Sequence, residues 1–62
     1  MKVTFYRSAL NSNGNLYKSP CGSINYPNIF DEAIVLEDAI KQFEKDNNVK
    51  NWQEAAEFYE IS

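Results

Sequence analysis

Any chemistry this chain performs must come from carboxylates, lysines, tyrosines, hydroxyls and one thiol, because it holds no histidine and a single cysteine. Nucleophilic catalysis would need Cys21 or a serine beside an activating base, and the commonest such base is missing. Cys21 sits in a Pro20-Cys21-Gly22 run that reads as a small residue in a strand irregularity. Paired carboxylates occur as Asp31/Glu32, Glu37/Asp38 and Glu54/Glu57/Glu60. A general acid, however, needs a pKa raised by burial in a cleft, which a chain of this size barely encloses.

Asn11, Asn13 and Asn15 surround Gly14 without a carboxylate among them, whereas a calcium site normally includes several. The two glycines lie eight residues apart without the Gly-Lys-Ser/Thr ending of a phosphate loop. The expectation is a non-enzymatic protein with no catalytic, metal-binding or cofactor-binding residues and no cofactor.

The charges are distributed unevenly. Residues 1–30 carry Lys2, Arg7 and Lys18 and no acid, while residues 31–62 carry all nine acids and three lysines. The net charge of −3 therefore conceals a dipolar molecule, which can steer association with a partner or a second copy. With 62 residues the chain reads as one domain over 1–62. Folding at this size hides only about 60% of the extended surface, a marginal fraction that self-association would raise. One unpaired cysteine suits a reducing compartment, and the N-terminus, Met1-Lys2-Val3-Thr4-Phe5-Tyr6-Arg7, lacks the apolar core of a signal peptide. No apolar run approaches the length of a membrane span. A cytoplasmic protein with no membrane partner is expected.

These side chains depend on a few elements for their positions. Val3 to Leu10 is rich in β-branched and aromatic residues and is followed by Asn13-Gly14, the pair favoured in a two-residue type I′ turn. A β-hairpin with that turn sets Leu10 opposite Tyr17, Tyr6 opposite Cys21 and Val3 opposite Ile24. Val3, Phe5, Ala9, Leu16 and Ile24 would then form the core face. Thr4, Tyr6, Ser8, Leu10, Tyr17, Ser19 and Cys21 would form the other. Pro20 and Gly22 predict a break or bulge near Ser19 to Gly22 and an unpaired edge there.

Tyr26-Pro27-Asn28 punctuates the chain, with Asn28 a suitable helix cap. From Asp31 to Asn47 the set Ala33, Leu36, Ala39, Ile40 and Phe43 fits helical spacing, Asp31 and Glu32 suit the N-terminal dipole, and Glu37 reaches Lys41. Ile34 and Val35 fall on the flanks of that stripe, and Ala33 to Leu36 also reads as a short strand. Asn51-Trp52-Gln53-Glu54 has capping-box form and predicts a second helix to about Glu60. Trp52, Ala55, Ala56 and Tyr59 would face inward; Glu54, Glu57 and Glu60 would face outward. Residues 54–62 resemble the first helix of a helix-turn-helix, although no recognition helix follows in this sequence.

The expected fold is α+β, a hairpin followed by two helices in ββαα order, with an extra C-terminal strand over Tyr59 to Ser62 as the alternative ending. The expected function is that of a small protein-binding regulator or inhibitor docked on a larger protein. The abundance of Asn, Lys, Ile, Tyr and Phe is compatible with an AT-rich phage or bacterial genome, hence with a mobile-element product acting on a host system. Tyr6, Leu10 and Tyr17 are the expected contact patch, and Glu54, Glu57 and Glu60 an acidic ridge aimed at a basic partner surface. Ile34, Val35 and Phe58 are the expected self-association residues of a homo-oligomer, such as a homodimer. In the alternative reading the hairpin binds nucleic acid, stacking Tyr6 and Tyr17 on bases and setting Lys2, Arg7 and Lys18 against phosphates, with the nine acids opposing it.

Overall fold

The computed structural model describes residues 1–27 and 31–62. Along the chain run β1 (Lys2–Leu10), β2 (Leu16–Asn25), α1 (Glu32–Asn47), a single 3-10 turn (Trp52–Glu54) and β3 (Phe58–Ile61). The strands form an antiparallel sheet in the order β2-β1-β3, so the first strand is central. The fold is therefore α+β, with one helix and a third strand where two helices were expected.

The hairpin loop differs from the expected two-residue turn. Asn11 donates its amide to the Asn15 carbonyl, and Gly14 donates to the Asn11 carbonyl, both at 3.0 Å. The Asn11 side-chain oxygen accepts from the amides of Asn13 and Asn15 at 2.9 and 3.0 Å. Gly14 alone in the loop has positive φ, +79°, so a type I′ turn, which needs two such residues, is excluded. The loop has three residues and opens on an Asx turn that asparagine's short side chain favours.

One additional loop residue moves the ladder by one position. Leu10 pairs with Leu16, Ala9 with Tyr17, and Tyr6 with Pro20. A bulge in β2, opposite Phe5 and Tyr6, then leaves Cys21 without an opposite residue and restores the expected pairing of Val3 with Ile24. The bulge falls where Pro20 and Gly22 predicted an irregularity. The expected oppositions of Leu10 with Tyr17 and Tyr6 with Cys21 are thus corrected, and Leu16 lies outside the core, exposed.

Helix α1 is capped by Asp31, whose carboxylate accepts from the Ala33 amide at 2.9 Å; Asn28, the expected cap, lies outside the described residues. The helix closes at Asn48, in the left-handed region at φ 55°, which asparagine tolerates better than most residues. Its buried stripe is Val35, Ala39 and Phe43, spaced by four, with Leu36 and Ile40 packed beside it. Val35, expected on the flank and free for self-association, is therefore core, while Ala33 is exposed. The Glu37–Lys41 pair forms at 3.3 Å.

Above the sheet, Val3 and Phe5 meet this stripe and Ala56 in the buried core. Phe5 stacks on Phe43 with ring centroids 4.1 Å apart, and Trp52 and Tyr59 surround it at 5.7 and 6.4 Å. Gly22, opposite Phe5 on β2, leaves room for the Phe43 ring, which a Cβ there would meet at 3.4 Å.

The capping box forms as expected, with Asn51 accepting from Gln53 and Glu54 accepting from Asn51. The helix it opens ends after one turn. Phe58-Tyr59-Glu60-Ile61 carries strand-favouring aromatic and β-branched residues, and the free edge of β1 offers them a row of backbone partners. Pairing begins where the Glu57 amide donates to the Tyr6 carbonyl at 2.8 Å, and Lys2 and Ser62 exchange backbone hydrogen bonds at the other end. Because Phe58–Ile61 is a strand, the resemblance to a helix-turn-helix does not extend to the structure.

Candidate functional site

Pairing with β3 and Ser62 covers β1 only from Lys2 to Tyr6. Beyond it, Arg7–Leu10 and Leu16–Ser19 stand as a two-stranded arm, and the molecule measures 40 × 24 × 14 Å. Its radius of gyration, 12.6 Å, exceeds the roughly 10.6 Å expected of a compact chain this long. The arm ends in apolar side chains: Leu10 is 66% exposed, Leu16 74% and Tyr17 49%. Leu10 and Leu16 are direct cross-strand partners, so they share one face, and alternation along β1 gives that face Tyr6 as well. Tyr17, opposite Ala9, lies on the other face.

The expected patch of Tyr6, Leu10 and Tyr17 is therefore divided between the two sides of the sheet. Leu16 takes the place given to Tyr17, and only the loop length, which Asn11 controls, could have indicated it. Tyr6 is half-buried, stacked on Phe58 with centroids 5.7 Å apart, and the Lys18 ammonium lies 5.1 Å from its ring centroid. Lys18 reaches across β1 to an ion pair with Glu60 of β3. The hydrogen bond that Lys18 donates to Glu60 raises the Lys18 pKa above its usual value.

The acidic ridge does not assemble, because its three-residue spacing presupposed a helix. Glu54 accepts from the backbone amides of Lys50 and Asn51. Glu57 accepts from the Ser8 amide at 3.3 Å, where β3 stops covering β1. Glu60 holds Lys18. Each carboxylate thus satisfies a different local partner.

The expected self-association set also separates: Val35 is buried, Phe58 is half-covered by Tyr6, and Ile34 remains exposed. Ile34, Val35, Tyr26 and Asp38 line an open cleft of about 270 Å³. For nucleic acid, Tyr6 and Tyr17 on opposite faces do not form a common stacking platform, and Lys18 is already paired. Among the described residues no helix is long and apolar enough to cross a membrane.

The cleft contains the most perturbed titrating group. The Tyr26 hydroxyl donates to Asp38 at 2.7 Å, joining the end of β2 to α1. Burial first, and then the hydrogen bond to Asp38 and its charge, push the Tyr26 pKa up to about 12. The unfolded value lies near 10, so the folded state retains the proton longer. This contribution to stability is complete below about pH 10 and is lost as the pH rises through about 12. Denaturation midpoints across that range should fall more steeply for the wild type than for Tyr26→Phe. Equal slopes would show that Tyr26 titrates as a free tyrosine.

No family model, curated protein or solved structure matches this chain.

Proposed function

We propose that this protein is a non-enzymatic binding module, a regulator or inhibitor that docks on a larger protein through the tip of its hairpin arm. The observation that carries this reading is the exposed Leu10–Leu16 pair on an arm that extends beyond the sheet's third strand. Two large aliphatic side chains held in register on a ribbon resemble the anchors around which interfaces form, and their exposure serves no purpose in the core. A mobile-element product acting on a host protein remains the biological setting proposed for it.

The test is capture of partners from source-cell lysate by the wild type and by the double variant Leu10→Ser/Leu16→Ser. Both side chains are solvent-exposed, so the variant keeps its fold. The expected result is loss of at least nine-tenths of the wild-type partner signal. A partner retained at full strength would reject the arm tip as the docking surface.

A further inference from the structure

The free edge of the arm goes beyond that reading. Asn11 donates to the Asn15 carbonyl, and alternation along an antiparallel ladder then turns the backbone groups of Tyr17 and Ser19 toward β1. Those of Leu16 and Lys18 point away from the sheet. Pro20 also falls on the outward side and has no donor, so the open ladder ends there.

Sheet edges are commonly guarded by a lysine. Lys18 occupies that place on β2, but its ammonium is drawn back across the sheet to Glu60. The edge between Asn15 and Ser19 is thereby left open.

We propose that this edge pairs with the same edge of a second copy, antiparallel about a two-fold axis at Tyr17, to make a continuous six-stranded sheet. The register is self-complementary about that axis. Leu16 of each chain falls opposite Lys18 of the other and exchanges both backbone hydrogen bonds with it, while the two Tyr17 residues face each other. Leu16 of the second copy meets the Cβ end of Lys18, whose stem runs back over β1, and the two ammonium groups, each held by its own Glu60, are kept apart. An axis at Lys18 would set like charges opposite each other, and an axis at Leu16 would run half the ladder into the loop.

Surface area agrees with this occupant. The chain exposes 4518 Å², whereas a compact chain of its mass exposes about 4,100 Å². The excess, about 400 Å² per chain, is of the size a short strand-to-strand contact covers, about 800 Å² for two chains and below the roughly 1,200–2,000 Å² of stable interfaces. The assembly is accordingly weak and concentration-dependent. The Leu10–Leu16 faces remain outside the ladder and come to lie side by side.

Sedimentation equilibrium of the wild type from about ten micromolar to about one millimolar should show a rise from one toward two chain masses. Tyr17→Lys, which sets two ammonium groups opposite each other, should weaken dimerisation at least tenfold. Geometry is read by cross-linking in a Cys21→Ser background under mild oxidation. Tyr17→Cys should form a disulfide with itself, since facing residues at a non-hydrogen-bonded position lie about 4.5 Å apart at Cα, within disulfide range. Leu16→Cys and Lys18→Cys should cross-link when mixed with each other and not alone. A single chain mass at every concentration overturns the proposal, as does equal self-cross-linking at all three positions. Loss of partner capture by Leu10→Ser, a β1 residue outside the proposed ladder, with dimerisation intact would separate this edge from the docking face.

Discussion

Phe5→Ala is expected to remove most of the folding free energy. The Phe5 ring is fully buried and touches three other aromatic rings, with Phe43 stacked on it at 4.1 Å. Truncating a buried phenylalanine to alanine costs about 3–5 kcal/mol, through lost transfer energy and the cavity left behind. A chain this long is stabilised by about 3–9 kcal/mol in total. The surroundings cannot collapse into the cavity cheaply, because Val3 and Phe5 sit on the central strand, fixed by ladders on both sides. Urea titration at 25 °C should show a midpoint near zero denaturant for the variant. A midpoint within a tenth of the wild-type value would mean that the aromatic cluster is not the centre of the core.

Gly22→Val is the second change with a large expected effect, and it acts by overfilling the core. Even a Cβ at this position reaches 3.4 and 3.6 Å from two edge atoms of Phe43. Two further methyl groups must displace that ring, which Phe5 holds on one face. Overpacking of this kind costs about 1–3 kcal/mol, which exceeds the gain in strand propensity from replacing glycine. At about 4–8 °C per kcal/mol for a small domain, a melting temperature lower by at least about 4 °C is expected. A scanning calorimeter measures this directly. An unchanged or higher value would show that Phe43 moves aside without loss.

Much of the fold follows from local pattern. The Asn51 and Glu54 side chains do form their box, Asp31 and Glu32 do open a helix, and Pro20 and Gly22 do mark a bulge. The rest is decided by distant segments, where one local pattern fits two structures. Trp52, Ala55, Ala56 and Tyr59 fit a helical face, but the same tyrosine also alternates with Phe58 and Glu60 as a strand. The open edge of β1, some fifty residues earlier in the chain, settles the choice.

The expected contact patch is divided between two faces for a simpler reason, a single residue in a loop. Asn13-Gly14 suits a two-residue turn by composition, but the Asn11 side chain collects two loop amides and makes a three-residue loop preferable. Since side chains alternate along a strand, that one residue exchanges the faces of Tyr17 and Leu16. Val35 shows the corresponding ambiguity on the helix. Its neighbours Ile34 and Leu36 are equally apolar, and only the placement of the sheet selects which of the three is buried.

The position of β1 at the centre of the sheet has a kinetic consequence. Its two neighbours are acquired at unequal entropic cost: β2 is reached across a three-residue loop, β3 across nearly the whole chain. Loop closure scales with the logarithm of length, so the second pairing costs about 2.5 kcal/mol more chain entropy than the first. The hairpin is local in the chain, whereas the ladder between Lys2 and Ser62 needs the helix and the 3-10 turn to shorten the path between them. The C-terminal strand is thus the last to be secured and the first to open. When it opens, the central strand becomes an edge strand, and Val3 and Phe5 lose the lateral cover of Tyr59 and Ile61.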